Sequence, residues 1–352
     1  MQEIQDQLQK ILNEKKSIIA KEVVEKQYSG APGFWEQYGE KGKRKGMQDV
    51  AYHLSFLSEA IQLEDPDIFT DYIEWVKLLF REINLSEKII INTLEYMKSV
   101  LKEYIPGNLY DTVLSILEAG INKVSEPVQT EDSYIDPDAE MGKIAKEYNE
   151  LLLDGRRYEA GRLIFKEVDN GRPIKDIYLK VFQPSQMEVG RLWLMNRISV
   201  AKEHYVSAAT QMTMSQLYPY IFSTQRKGFS FIGACVGGEL HEIGLRMVCD
   251  FFEMDGWDTY YLGANTPAQA IIEAIQQYKA DVIGLSIAMP FHQSLLKDLI
   301  EQIKMGVKEK KPKILVGGNG IDSGKEIWKY LGADGYAENA HEAVKLANKI
   351  KA

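Results

Sequence analysis

A carboxylate and a histidine lie two residues apart where an apolar run gives way to a helical pattern. The run FSFIGACV ends just before Gly237 and Gly238, Glu239 and His241 follow, and a helix is predicted from about Leu245. A neutral imidazole binds a metal ion through one ring nitrogen while a carboxylate holds the other nitrogen. A loop histidine taken alone is more often a solvated or hydrogen-bonded residue than a metal ligand. Other residues of the pattern are therefore needed to support a metal site.

Two later apolar runs also end in residues suited to a binding site. DVIGLSIA carries Ser286 near its end, and KILVGG ends in Gly317 and Gly318. The carboxyl ends of parallel strands meet at one edge of a sheet, where such folds bind ligands. A hydroxyl group and glycines that allow close backbone approach would therefore lie beside His241. This arrangement favours a binding site over a plain α/β domain with turn glycines.

The elements that position these residues follow from the apolar pattern. From residue 228 to 352, short β-rich runs alternate with helical segments, and a last run near Gly335 and Tyr336 makes the fifth strand. This alternation predicts a flavodoxin-like, Rossmann-like domain with a parallel five-stranded sheet.

The sequence before this domain is predicted to be mainly helical. Apolar residues recur at three and four positions in residues 1–124, which predicts an all-α domain. Residues 125–138 are acidic, contain two prolines and lack periodicity, so they are predicted to be a linker. Residues 139–222 are predicted to form a bundle of four helices.

Composition excludes several classes of protein. The 352 residues include 42 Lys and Arg against 51 Asp and Glu, and this acidic balance argues against nucleic acid as a partner. Cys235 and Cys249 are too few for a disulfide framework or a thiolate zinc site. The start MQEIQDQLQK lacks the apolar core of a signal peptide, and no apolar run is long enough for a membrane span. We therefore expect a cytoplasmic protein without membrane contact.

The series E-x-H-x-x-G, S-x-A and GG resembles the cobalamin-binding module of methionine synthase, corrinoid methyl carriers and B12 mutases, whose pattern is D-x-H-x-x-G, S-x-L and GG. The resemblance implies that His241 binds cobalt from below and displaces the dimethylbenzimidazole base, the His-on, base-off state. It also implies that Ser286 bonds the buried base and that Gly317 and Gly318 accommodate the nucleotide tail. Further cobalamin-binding residues are the rest of the first motif, Glu239 and Gly244. Glu239 and Ala288 replace the usual aspartate and leucine.

The helical bundle contains a second pattern. Trp193 is followed, after nine residues, by Glu203 and His204. A tryptophan on an apolar helix is usually a core residue, but W-x9-E-H resembles the light-sensing adenosylcobalamin repressors. There the tryptophan packs against the 5'-deoxyadenosyl group, and the Glu-His pair lies over the ligand.

The same resemblance extends to the surroundings of this pattern. Val189 and Met195 are expected to help line the cobalamin pocket. The repressors have a histidine directly after the tryptophan that binds cobalt after illumination, but Leu194 occupies this position here. His204 or water could take the upper cobalt position instead.

The N-terminal region suggests a second pigment. Asp49, Tyr52 and His53 lie on one helical stripe after the basic cluster Lys43, Arg44 and Lys45. A carboxylate and cations can hold a conjugated ligand that has pyrrole N–H groups and propionates. A charged loop before an ordinary amphipathic helix explains the same residues more simply.

Residues 46–101 resemble the globin-like bilin domain of phycobiliproteins. Gly46 stands where those proteins carry the tethering cysteine, so the resemblance implies noncovalent biliverdin. Asp49 would bond the pyrrole nitrogens, with the basic cluster and His53 near the propionates. A haem-binding globin is the competing interpretation, with His53 as the only candidate proximal ligand in this region.

The whole order of domains resembles photocobilins, photoreceptors that combine B12 and bilin. It implies a light sensor, not an enzyme. In such a sensor, Co–C photolysis rearranges the oligomer and the helical bundle of residues 139–222, which would form a cap over the cobalamin. A homodimer and an unknown downstream protein are the implied partners. The chief alternative is a corrinoid methyl-carrier protein of a B12-dependent methyltransferase system, and a light-insensitive cobalamin-binding scaffold is a third possibility.

Overall fold

The computed structural model describes residues 2–127, 132–222, 225–321 and 326–351, without the side chains of residues 2–4 and 6. The chain divides into two compact units. One unit comprises the chain up to residue 130 together with Leu194–Asn196, and the other comprises the remainder. Part of the predicted linker, residues 128–131, lies outside the described residues, and the predicted domain boundaries stay a prediction.

The described part of the first unit is helical. Its helices are α1 (Gln2–Gly30), α2 (Pro32–Trp35), α3 (Gly39–Gln62), α4 (Asp67–Glu82), α5 (Lys88–Tyr104) and α6 (Gly107–Ser125). Along α3, the residues at spacings of four, three and four are all buried, namely Val50, Leu54, Leu57 and Ile61. Helices α3 and α1 pack together, and burial of apolar area of this kind stabilises an amphipathic helix. The helical character follows the sequence prediction, whereas the globin-like topology stays a prediction.

The second unit begins with a helical layer. Its helices are α7 (Glu140–Leu153), α8 (Arg157–Asp169), α9 (Ile174–Ile177), α10 (Gln183–Leu194), α11 (Val200–Gln216) and α12 (Tyr218–Ile221). A π-helical turn, Tyr178–Phe182, joins α9 to α10. The predicted helical layer over residues 139–222 is confirmed, but it contains six helices and a π-helical turn instead of the four helices predicted.

A parallel sheet follows. Its strands are β1 (Ser230–Cys235), β2 (Asp258–Gly263), β3 (Val282–Ser286), β4 (Lys313–Gly317) and β5 (Gly335–Ala337), in the spatial order β2-β1-β3-β4-β5. The flanking helices are α13 (Ile243–Met254), α14 (Ala268–Tyr278), α15 (Gln293–Gly306), α16 (Ile327–Tyr330) and α17 (Ala340–Lys351). The predicted flavodoxin-like, five-stranded parallel domain is confirmed.

The register of this sheet aligns the predicted site residues. Cys235 pairs with Ser286, Ser286 pairs with Gly317, and Gly317 pairs with Ala337. The carboxyl ends of four strands therefore lie at one level. The loop that carries His241 leaves β1 directly above this level.

The helical layer and α13 share a buried polar contact. Tyr178, the first residue of the π-helical turn, donates its hydroxyl hydrogen to Oδ2 of Asp250 at 2.8 Å. Arg246, on the same face of α13, donates to Ser215 Oγ at 2.7 Å and to Tyr218 Oη at 3.2 Å. Burial raises the pKa of Asp250 to about 6, although the hydrogen bond from Tyr178 and the positive charge of Arg246 oppose this shift.

Replacing Asp250 should change how stability depends on pH. Because the pKa of Asp250 is higher in the folded chain than in the unfolded chain, its contribution is present below about pH 4 and lost as pH rises through about 6. The wild type should therefore lose on the order of 2 to 3 kcal/mol relative to Asp250→Asn between pH 4 and pH 7. Urea unfolding of both proteins across this range measures the difference, and a flat difference would contradict the prediction.

Candidate functional site

The loop from residue 236 to 242 presents His241 at the edge of the sheet. Gly238 takes a left-handed backbone conformation, with φ of +85°, that suits glycine. Asn265, in the loop after β2, holds this turn on both sides: its Oδ1 accepts from Gly238 N at 2.7 Å, and its N donates to Glu239 O at 2.9 Å. The loop is therefore anchored independently of any ligand.

Glu239 orients the imidazole of His241. One carboxylate oxygen, Oε1, accepts hydrogen bonds from His241 Nδ1 at 2.5 Å and from His241 N at 2.9 Å. The carboxylate is fully buried, whereas 62% of the His241 side chain is exposed. Because the carboxylate accepts from Nδ1, the neutral ring keeps its lone pair on Nε2, which is the arrangement of a metal-binding histidine.

The second oxygen of Glu239 reaches the loop after β3. Oε2 accepts from Ala288 N at 2.8 Å, from Met289 N at 3.1 Å and from His292 Nδ1 at 3.1 Å. Burial alone would raise the pKa of Glu239, but the hydrogen bonds from both histidines and the backbone amides lower it below its ordinary value. Glu239 is therefore an ionised carboxylate that joins two loops. Sequence reasoning missed His292, because no motif marks its position.

The charge of Glu239 acts in turn on His241. The hydrogen bond to Glu239 raises the pKa of His241 above its ordinary value, and the negative charge of Glu203 adds to the effect. Glu203 lies on α11 in the helical layer, so this layer and the histidine loop face each other closely enough to interact electrostatically. A proton and a metal ion would compete for His241 Nε2.

The predicted glycines have different surroundings. Gly318 has φ of +98°, and a Cβ atom there would collide with the carbonyl oxygen of Ile287 and lie 3.1 Å from Ser286 Oγ. The close packing of the β3 and β4 ends explains this glycine without any ligand. At Gly317 a Cβ atom would lie 2.8 Å from Ala337 O. By contrast, a Cβ atom at Gly244 would meet no heavy atom of the described residues within 4 Å, so nothing in the described fold requires glycine there.

The residues of the helical bundle that were predicted to bind cobalamin differ in their exposure to solvent. Trp193 is 39% exposed at the end of α10. Glu203 accepts from His204 Nδ1 at 2.5 Å and from Ser207 Oγ at 2.8 Å. Val189 is only 1% exposed and belongs to the core, so its side chain offers no open surface to a pocket. Met195 is partly buried and belongs to the first unit.

Glu242, next to His241, connects the loop to the helical layer. Its Oε2 accepts from Ala264 N at 2.9 Å, and its Oε1 accepts from Gln211 Nε2 at 3.4 Å. Gln211 Oε1 also accepts from Arg246 at 3.4 Å. Gln211 of α11 therefore contacts both the histidine loop and α13.

In the first unit, the predicted bilin residues do not share one environment. Asp49 forms an ion pair with Lys45 at 3.2 Å, and burial raises the pKa of Asp49. Tyr52 is 51% exposed, whereas His53 is buried and shares a 2.8 Å hydrogen bond between Nδ1 and Tyr72 Oη. Burial lowers the pKa of His53 to about 4. His53 is therefore neutral near pH 7 and would supply no positive charge to a propionate, while its place near a bilin stays a prediction.

The basic cluster Lys43, Arg44 and Lys45 lies within α3, in the same helix as Asp49, and not in a loop before it. Lys43 forms a 2.9 Å ion pair with Glu40 and lies over the ring of Tyr28. Arg44 and Lys45 are exposed. These cations are accessible to anions, but such accessibility is common for lysine and arginine.

Both cysteines, Cys235 and Cys249, are free and buried. Burial raises the pKa of each thiol, which makes them poor thiolate ligands. Among the residues that the structure describes, none of the helices has the length and apolar character that a bilayer crossing requires.

Comparison with known families identifies the ligand class. Residues 229–345 match the B12 binding domain, and residues 144–218 match a second family described as a B12 binding domain. These ranges correspond to the sheet and to the helical layer, and neither includes any of residues 1–130. The chain thus has both parts of a cobalamin-binding module.

Relatives of known class are also corrinoid proteins. Dimethylamine corrinoid protein 3 of Methanosarcina mazei is 30% identical over 171 residues, which cover 45% of this chain and all of the relative. A corrinoid protein of Desulfitobacterium hafniense is 28% identical over 58% of this chain and 95% of its own length. The monomethylamine corrinoid protein of Methanosarcina barkeri has a similar fold, with a TM-score of 0.53 at 21% identity over 59% of this chain and 98% of its own.

The chain is a cobalamin-binding protein, and it belongs to the corrinoid protein family. The predicted cofactor class is thereby confirmed, as is the prediction that the chain is not itself an enzyme, since the relatives are corrinoid proteins.

Gly244 provides a test of where the corrinoid lies. Gly244→Ala should leave the fold intact, because the added methyl group meets open space. It should weaken cobalamin binding by roughly tenfold or more, since overpacking costs about 1 to 3 kcal/mol. Equilibrium dialysis with hydroxocobalamin measures this change. Gly161→Ala, on α8 and equally unobstructed, is the matched control and should bind as the wild type does. Equal affinities for both variants would contradict the placement.

Proposed function

We propose that the chain is a corrinoid carrier that binds cobalamin in the His-on, base-off state, with His241 as the lower cobalt ligand. The observation that carries this proposal is the hydrogen bond from His241 Nδ1 to the buried Glu239 carboxylate, which leaves Nε2 of an exposed ring available to a metal. Nitrogen donors of this kind suit cobalt.

The surroundings of His241 fit a cobalamin. Ser286 is partly buried at the end of β3, in register with Gly317, so its hydroxyl group is available beside the sheet edge. Gly244, the second residue of α13, leaves open space directly after the loop. Ser286, Gly317 and Gly318 would hold the base and nucleotide tail, and Gly244 would leave room for the corrin ring.

Bound cobalamin supplies a cobalt ion whose upper face can accept and release a methyl group. The carrier role is supported by the relatives, which are named as dimethylamine and monomethylamine corrinoid proteins. The part of this chain is to hold the lower ligand in one tautomer and to leave the upper face open to a partner methyltransferase. The cytoplasmic location, expected from composition, and the homodimer, implied by the resemblance, stay predictions.

Removing the lower ligand tests this proposal. His241→Ala should weaken hydroxocobalamin binding by tenfold or more and leave the base attached to cobalt in the fraction still bound, because the Nε2 donor that displaces the base is removed. Absorption spectra and equilibrium dialysis report the two effects. His341→Ala, at an exposed position of α17, is the control and should behave as the wild type does. Wild-type spectrum and affinity for His241→Ala would refute the assignment.

A light sensor that uses adenosylcobalamin is the second candidate. The observation in its favour is the set Trp193, Glu203 and His204 on the helical layer, in which Glu203 is close enough to raise the pKa of His241. An exposed tryptophan on that layer suits a large upper ligand such as an adenosyl group better than a methyl group. The related bilin proposal rests on Asp49, which is half-exposed beside Lys45.

Hydrodynamic measurements separate the two candidates. A sensor loaded with adenosylcobalamin should change its sedimentation coefficient on illumination, and Trp193→Ala should abolish that change. A carrier should show the same sedimentation in the dark and in the light. Biliverdin added to the same sample should give a red-shifted band that Asp49→Ala removes; if no band forms, the bilin proposal fails while the cobalamin assignment is unaffected.

A further inference from the structure

A second imidazole holds the carboxylate that orients His241. His292 Nδ1 lies 3.1 Å from Glu239 Oε2, while His241 Nδ1 lies 2.5 Å from Oε1 of the same carboxylate. Because an ionised carboxylate only accepts hydrogen bonds, both rings carry a proton on Nδ1. Glu239 therefore links the two histidines in a continuous His–Glu–His array.

His292 is itself firmly placed. It ends the 3-10 turn Pro290–His292 after β3, and its backbone N donates to Met289 O at 3.0 Å. Its ring is buried and makes an edge-on contact with Phe291, with the ring centroids 4.4 Å apart. A Cβ atom at Gly238 would lie 3.5 Å from His292 Nε2, so the ring also lies against the histidine loop. A rigid donor therefore fixes one end of Glu239.

The array bears on how His241 can bind a metal. The glutamate side chain has several rotatable bonds, and only hydrogen bonds hold its two oxygens in the buried position. The bond from His292 comes from a side chain anchored in a different loop, so it resists rotation of the carboxylate away from His241. Hydrogen bonds to an ionised acceptor are stronger than those between neutral groups.

We propose that His292 is a positioning residue for the lower cobalt ligand: through Glu239 it keeps the His241 imidazole in the Nδ1–H tautomer, with Nε2 directed at the corrinoid. This role rests on the proposed function of His241. Since His292 belongs to the loop that follows Ser286, it also connects the lower ligand to the strand end predicted to hold the base.

Electron paramagnetic resonance of the full chain loaded with cobalamin and reduced to the Co(II) state tests this role. The axial nitrogen splits the cobalt signal, and labelling all histidines with nitrogen-15 changes the splitting only if a histidine, rather than the base, is the ligand. The wild type should show label-sensitive splitting. His292→Phe should lose most of it and bind cobalamin roughly tenfold more weakly, as losses of outer hydrogen bonds at metal sites do.

Two matched variants show whether the donor or merely the bulk of the ring matters. His292→Gln keeps an N–H group that can reach Glu239, so it should restore most of the label-sensitive splitting. His341→Phe makes the same substitution at an exposed site and should match the wild type. Circular dichroism of the unloaded proteins verifies that each variant is folded.

The outcomes distinguish the two proposals. Full label-sensitive splitting and wild-type affinity in His292→Phe would overturn the role of His292 while leaving His241 as the ligand. Label-insensitive splitting in the wild type would overturn the proposed function, and the role of His292 with it.

If His292→Phe does not fold, nitrogen-15 chemical shifts of the unloaded wild type show which ring nitrogen of His292 carries the proton. The His292 signals are identified from their absence in His292→Gln. A proton on Nδ1 of His292 supports the role, and a proton on Nε2 alone overturns it.

Discussion

The structure of the site depends on one buried carboxylate with five hydrogen-bond donors. Glu239 accepts from the side chain and backbone of His241, from two backbone amides after β3 and from His292. An unpaired buried charge would cost several kcal/mol, so the Glu239 carboxylate is stable only when both loops supply these hydrogen bonds. The same hydrogen bonds set the direction of the His241 imidazole.

The helical layer is connected to the histidine loop and to α13 by polar contacts. Glu242 meets Gln211, and Asp250 meets Tyr178 at the start of a π-helical turn. Apolar residues of both layers also belong to one core. A carrier must keep its corrinoid between these layers yet let a partner reach the upper face. Contacts of this kind hold the layers together without making the interface fully apolar.

The sequence predicted the parts of this architecture that depend on local pattern. Apolar runs bounded by glycine marked the five strands, and Glu239 and His241 are close in space because they are close in the chain. Their shared hydrogen bond could therefore be anticipated. The resemblance to cobalamin modules correctly identified the ligand class, while the comparisons support a carrier more strongly than the light sensor that was expected.

The remaining features depend on tertiary packing. His292 is 53 residues from Glu239, and only the turn after β3 brings the two together. Val189 and His53 were assigned to ligand sites by spacing on a helix, but spacing does not say which helical face is buried. Gly318 was assigned to a nucleotide tail, yet the carbonyl group of Ile287 already requires glycine there. Sequence spacing identified these positions without revealing what surrounds them.

The central claim is that His241 binds cobalt through Nε2 while Glu239 holds Nδ1. A crystal structure of the full chain bound to hydroxocobalamin tests it most directly. The account predicts density joining cobalt to His241 Nε2, with the dimethylbenzimidazole base away from the metal and the Glu239 hydrogen bond retained. Cobalt bonded from below to its own base, with the imidazole of His241 turned toward solvent, would contradict it.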